Sequence, residues 1–118
     1  MISHPKSAIH NVVRRTDLIV SGGENVYPAE VERVLLFHPG VQDAAVIGVK
    51  DKEWGERVVA VVVRQEGQKV TEEEILSFCK EKLAGYKRPR SVVFVDELPM
   101  NQLGKVLYKE LRNRFDPA

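Results

Sequence analysis

Two short stretches of this 118-residue chain carry residue types that chemistry needs: Gly22-Gly23-Glu24 near the start and Gly104-Lys105 near the end. Adjacent glycines free the backbone to take positive φ and let another molecule approach the main chain without meeting a Cβ. Lys105 is a compact point charge on a flexible stem, on a loop that Gly104 loosens. Taken alone, a surface Gly-Lys is most often inert. Between the two stretches, Tyr86-Lys87-Arg88-Pro89-Arg90 forms a basic patch led by an aromatic. Tyr86 offers a stacking surface and Arg88 a bidentate donor for phosphate, with a solvated turn as the plain alternative. Trp54, the only tryptophan, reads as a rim packing residue, and Arg14-Arg15 as a solvated basic pair.

The elements that must position these residues follow from local pattern. Apolar residues 18–20 lead into the glycine loop as a strand, and Pro28 opens a helix, because its missing N–H is no loss at a first helical position. Glu30 and Glu32 suit the positive end of that helix. Val31, Val34 and Leu35 mark one apolar face, and His38-Pro39-Gly40 ends the helix. The run Val58-Val59-Ala60-Val61-Val62-Val63 is continuously apolar and β-branched, so it should be a strand buried on both faces. Thr71 and Glu74 form a capping box, with Val70 and Ile75 placed for a hydrophobic staple. Leu107, Leu111 and Phe115 outline a terminal amphipathic helix. The fold class is α+β: a small, mainly antiparallel three-stranded sheet at about 41–49, 57–65 and 91–96. Helices near 28–37, 71–84 and 106–115 flank it, and a two-stranded ribbon carries the glycine loop.

Composition narrows the function classes. Eighteen Lys and Arg against 17 Asp and Glu give a net charge of +1, so no global field favours nucleic acid or an anionic membrane. The single cysteine, Cys79, excludes an internal disulfide framework and a Cys-based zinc cluster, and no metal site is expected. No apolar run is long enough to span a bilayer, so no transmembrane segment is expected and the cytoplasm is the default location.

The run Asp-Leu-Ile-Val-Ser-Gly-Gly-Glu-Asn-Val-Tyr-Pro-Ala-Glu-Val-Glu, residues 17–32, resembles the signature that opens the small C-terminal domain of adenylate-forming enzymes. That superfamily holds acyl-CoA synthetases, aryl-CoA ligases, peptide-synthetase adenylation domains and luciferases. Leu-Pro-Met-Asn-Gln-Leu-Gly-Lys-Val-Leu, residues 98–107, resembles its final signature. The resemblance implies an arm at 1–13, then an AMP-binding enzyme C-terminal domain at 14–118 whose large N-terminal domain is absent. It implies Lys105 as the lysine of adenylate formation, Arg14 as a nucleotide contact and Thr16-Asp17 as the hinge. Thr16 departs from the usual Asp or Lys at the pivot. Gly22, Gly23 and Glu24 would line the pantetheine tunnel, and Trp54, Tyr86 and Arg88 the nucleotide end of CoA.

By the same resemblance ATP, with Mg2+, and CoA are substrates of the full enzyme, and none is expected bound to this domain alone. The partner would be a large adenylate-forming domain, in cis or in trans. The function implied is that of the C-terminal domain of a fatty-acid or aryl acid–CoA ligase. A stand-alone, non-catalytic module for CoA, nucleotide or a protein partner is the alternative. The sequence shows no Ser/Thr/Gly-rich phosphate loop ending in Lys, no acyl pocket and no aspartate placed for a ribose. Purified alone, the chain is therefore expected to lack adenylation activity, which a pyrophosphate-exchange assay checks.

Overall fold

The computed structural model of the chain describes residues 17–115; the arm at 1–13, Arg14 and Thr16 lie outside them. In chain order the elements are β1 (Ile19–Ser21), β2 (Glu24–Val26), α1 (Pro28–Leu36), β3 (Val41–Asp51), β4 (Gly55–Arg64), α2 (Glu72–Lys80), β5 (Ser91–Phe94) and α3 (Tyr108–Phe115). The fold is α+β, with β1 and β2 as an antiparallel ribbon and β3-β4-β5 as the main sheet.

That sheet is mixed, which corrects the expectation of a mainly antiparallel one. Strands β3 and β4 form a long antiparallel hairpin, whereas β5 lies parallel to β4, with Val59 opposite Ser91 and Val62 opposite Phe94. Parallel neighbours need a crossover, and α2 supplies it by carrying the chain back from the end of β4 to its beginning. Helix α2 ends at Lys80 rather than near 84, and Gly85 opens a short 3-10 turn, Gly85–Lys87.

Strand alternation divides the interior in two. Ala44 and Val46 of β3 and Val58, Ala60 and Val62 of β4 join Ile19, Val26, Val31, Leu35, Ile75 and Cys79 in one core. Ala45, Ile47 and Val49, with Val59 and Val61, join Leu98, Val106 and Leu111 in the other. Residues 58–62 are at most 2% exposed, so β4 is buried on both faces as its continuous apolar run requires. The ribbon, α1 and α2 thus cover one face, and α3 covers the other. Burial pushes the Cys79 thiol up to about 11, so at neutral pH it is an unreactive thiol within the core. No helix among the described residues is long and apolar enough to cross a membrane.

Local signals placed the elements. Thr71 Oγ1 accepts from the Glu74 N–H at 3.2 Å while Glu74 Oε1 accepts from the Thr71 N–H at 2.9 Å, completing the capping box between buried Val70 and Ile75. These bonds hold the Glu74 carboxyl below its usual value, the Thr71 N–H contributing most. After the helix, the His38 Nδ1 accepts from the Gly40 N–H at 2.9 Å.

Glu32 differs most from its sequence reading. It is buried, and its Oε2 accepts from the Val46 N–H at 2.9 Å and from the Tyr108 hydroxyl at 2.6 Å. Strand β3 is a sheet edge, so Glu32 takes up an edge N–H that no strand pairs and joins α1, β3 and α3 at one oxygen. Burial, then the negative charge of Glu32, pushes the Tyr108 phenol above its ordinary value of 10.0. The fold therefore favours the neutral phenol; that contribution is complete below pH 10 and is lost as pH rises above it. Tyr108→Phe should lower stability by about 1–3 kcal/mol, the loss of a hydrogen bond to a buried charge. It should also make the alkaline loss of stability shallower, and urea titrations across pH 8–11 check both.

Candidate functional site

The glycine loop is a hairpin turn. Ser21 faces Glu24 across the ribbon, and Gly22 and Gly23 between them have φ of 59° and 83°. Two positive φ values in sequence are the condition for the tight turn whose twist suits its flanking strands. The two glycines do different things. The Gly22 N–H donates to the Trp54 carbonyl at 2.8 Å, and a Cβ on Gly22 would lie 2.9 Å from Trp54 Cε3. A Cβ on Gly23 would meet nothing within 4 Å. Gly22 seats the loop on Trp54, while Gly23 and exposed Glu24 present it to solvent.

Gly22→Ala combines a left-handed φ with a collision against an indole ring, so the loop must shift. The expected outcome is a fall of about tenfold or more in any step that uses this main chain, from strain of about 1–2 kcal/mol plus displacement of Trp54. Trp54 fluorescence should change in parallel.

Trp54 is placed by Asp51, whose Oδ1 accepts from the N–H groups of Glu53 at 2.8 Å and Trp54 at 3.0 Å. These bonds, that from Trp54 first, hold the Asp51 carboxyl below its usual range. The Arg90 guanidinium lies 4.6 Å from the centre of the Trp54 ring, a cation–π contact that brings the basic patch to the glycine loop. Tyr86 is exposed in the 3-10 turn, with the Lys87 ammonium 5.6 Å from its ring centre. Lys87 also pairs with Glu30 of α1 at 2.8 Å. Arg88 is half-buried, and its Nε donates to the Leu83 carbonyl at 2.8 Å, so part of the guanidinium braces the turn. Arg90, to which the sequence reading gave no separate role, is the cation that meets Trp54.

The lysine loop is a second small hairpin, closed by a bridge between Met100 and Val106 and by the Asn101 N–H donating to the Lys105 carbonyl at 2.9 Å. Its centre is Asn101, whose Oδ1 accepts from the N–H groups of Leu103 at 2.8 Å and Lys105 at 3.0 Å. Asn101 was missed at the sequence level, although an asparagine bonding the backbone two residues on is a familiar turn former. Lys105 is exposed, and among the described residues no carboxylate forms an ion pair with it. Leu103 beside it is 81% exposed.

The two loops occupy opposite ends of the long hairpin. Trp54 and the glycine loop sit at its turn. The stem of the lysine loop borders a groove of about 710 Å³ shared with Gln42 and Val63 at the other end. Between these ends β3 runs from Asp43 to Asp51, about 27 Å at roughly 3.4 Å per residue. The groove also carries Asp43, Asp96, Glu97 and Glu110 against a single Arg114, a surface that repels phosphates and so is no nucleotide pocket. Asp17, at the expected hinge, pairs with Arg112 of α3 at 3.0 Å.

Fold and loops together define a small α+β domain that offers bare main chain at one end and an exposed cation at the other. Residues 30–105 match the AMP-binding enzyme C-terminal domain, and the chain belongs to that family. It is 56% identical over 99 residues to the 2-succinylbenzoate–CoA ligase of Bacillus cereus (strain Q1), covering 84% of this chain and 20% of the relative. Its structure is similar to ATP-bound MatB from Rhodopseudomonas palustris, with a TM-score of 0.86 and 43% identity over 88% of this chain and 21% of that one. The o-succinylbenzoate CoA synthetase of Bacillus subtilis, in complex with its acyl-adenylate intermediate, gives a TM-score of 0.80 and 48% identity over 86% of this chain and 20% of that one. The chain thus spans about a fifth of the length of these relatives.

Proposed function

We propose that this chain works as the C-terminal domain of an acid–CoA ligase, with an aryl acid of the 2-succinylbenzoate kind as the first substrate to test. The observation that carries the reading is the placement of the Lys105 loop and the Gly22-Gly23 main chain at opposite ends of one long hairpin. A single reaction centre cannot touch both at once, so a domain built this way serves two steps in two orientations.

In the first step a carboxylate attacks the α-phosphate of ATP, the α–β anhydride bond breaks and pyrophosphate leaves; two anions must approach, and charge builds on the phosphate oxygens. Lys105, exposed and without an ion pair among the described residues, would bridge them and stabilise that transition state. Mg2+ accompanies ATP on the large domain. In the second step the domain turns, and the glycine loop offers unobstructed main chain along which the pantetheine thiol of CoA reaches the acyl carbon, forming the thioester as the acyl–phosphate bond breaks and AMP leaves. Trp54, Arg90, Tyr86 and the outer nitrogens of Arg88 lie on the loop's side as a surface for the nucleotide end of CoA. Arg14, Thr16 and Asp17 would lie at the joint. Lys105 lowers a barrier only where another domain holds ATP and the acid beside it, so the partner is a large adenylate-forming domain, in cis or in trans, in the cytoplasm.

The test mixes or fuses the chain with the large domain of the Bacillus cereus 2-succinylbenzoate–CoA ligase and follows 2-succinylbenzoyl-CoA formation. Thioester formation that needs both parts supports the reading. CoA binding by the chain without restored activity would instead identify a non-catalytic binding module.

A further inference from the structure

The ribbon that carries the glycine loop is only three residues long on each side, too short to hold its own attitude against the main sheet. Ile19 and Val26 root it in the core, and two outward hydrogen bonds, one from β1 and one from the turn, set its angle. Alternate N–H groups, that of Val20 in β1 and that of Gly22 just after it, point away from β2 toward the β3–β4 turn. The Gly22 N–H finds the Trp54 carbonyl at 2.8 Å. The Val20 N–H finds no strand carbonyl; it donates to Oε1 of Glu56 at 2.8 Å, across 36 residues of sequence.

The seat for this carboxylate is built. A Cβ at Gly48 would lie 2.9 Å from Glu56 Oε2, 3.0 Å from its Cδ and 3.0 Å from Ile19 Cγ2. Only glycine at position 48 therefore leaves room for the Glu56 carboxylate and for the Ile19 side chain that roots β1. Gly48 and Glu56 explain each other: one is bare so that the other can lie across it and reach the ribbon. A carboxylate accepting from a backbone N–H is a charge-assisted bond and stronger than the carbonyl bond it replaces.

We propose that Glu56 is a positioning residue of the glycine loop, standing in for a missing strand so that Gly22 and Gly23 present their main chain to pantetheine at a fixed angle. It touches no substrate. The inference rests on the thioester-forming role given to this loop above, and it predicts that Glu56 matters to that step and not to adenylate formation, which uses the other end of the hairpin.

Two measurements test it. In the 118-residue chain, amide hydrogen exchange of Val20 should quicken by about tenfold or more in Glu56→Ala, the loss of a bond to a charged acceptor; that of Gly22, whose bond to the Trp54 carbonyl remains, should quicken less, as the ribbon loosens. The amide of Val61 in the core should stay protected. Glu56→Gln, which keeps a neutral acceptor oxygen, should restore most of the protection. Unchanged exchange at Val20 in Glu56→Ala would overturn the bond as the ribbon's support. In the chain joined to a large domain, Glu56→Ala and Gly48→Ala should lower kcat for thioester formation from preformed acyl-adenylate. Pyrophosphate exchange should stay at its wild-type rate, and Glu56→Gln should recover the thioester step. Equal losses in both half-reactions, or none in either, would overturn the proposal. Lys105→Ala in the same assembly separates this failure from a deeper one: adenylation that survives it would remove the two-step reading itself, whatever Glu56 does.

Discussion

Replacing Lys105 by alanine is expected to lower acyl-adenylate formation by about 10²–10³-fold, the usual effect of removing one preorganised stabiliser of transition-state charge. The fold should be unaffected. Lys105 is exposed, and the bonds that shape its loop use the backbone of residue 105 and the side chain of Asn101. Thermal unfolding of the variant should therefore overlay the wild type. Preformed acyl-adenylate should still be converted to thioester at the normal rate, because in the two-orientation scheme proposed above that step would present the opposite end of the hairpin. Single-turnover assays of each half-reaction, with the chain joined to a large domain, give the comparison. Asn101→Ala supplies a graded companion: it leaves the charge and removes the acceptor that shapes the loop, so adenylation should fall less than in Lys105→Ala.

Leu111→Ala should have the largest effect on stability. Leu111 is fully buried at 0% exposure, in the core it shares with Ile47, Val61, Leu98 and Val106. Truncating such a leucine removes its transfer free energy and leaves a cavity, together about 2–5 kcal/mol. Domains of this size are stable by about 5–15 kcal/mol in all, so the variant should be marginal, with Tm lowered by about 10 °C or more. The consequence is also local. Val106, next to the catalytic candidate, packs in this core, and the Leu111 N–H donates to the Leu107 carbonyl at 3.2 Å. Loosening α3 therefore frees the stem of the lysine loop. Adenylation by Leu111→Ala should be depressed at ambient temperature and recover on cooling, unlike the temperature-independent loss in Lys105→Ala. Calorimetry and half-reaction rates at two temperatures separate the two mechanisms.

Much of the architecture was legible from local chemistry. Pro28 opened α1, Thr71 and Glu74 capped α2, and the unbroken apolar run through β4 foretold a strand covered on both faces. Each of these is fixed by residues within one or two turns of each other, so periodicity and capping rules reach them. The direction of β5 was not legible. Its residues read equally as a parallel or an antiparallel neighbour, and the choice was made by α2 carrying the chain back across the sheet. Glu32 was legible only as a charge near a helix start. Its burial depends on an edge N–H of β3 and a hydroxyl of α3, 14 and 76 residues away.

By itself the sequence determined the residue types, the two loops and their family, because glycine pairs, capping residues and a signature lysine act through their own covalent geometry and near neighbours. Only the tertiary structure decided that the loops stand at opposite ends of one hairpin. It alone showed that Trp54 and Arg90 belong to the glycine end, and that Glu56 lies across Gly48 to hold the ribbon. Those facts come from hydrogen bonds and packing between segments far apart in the chain. Their partners are selected by the closure of the sheet and the filling of its two cores, which no local pattern of residues encodes.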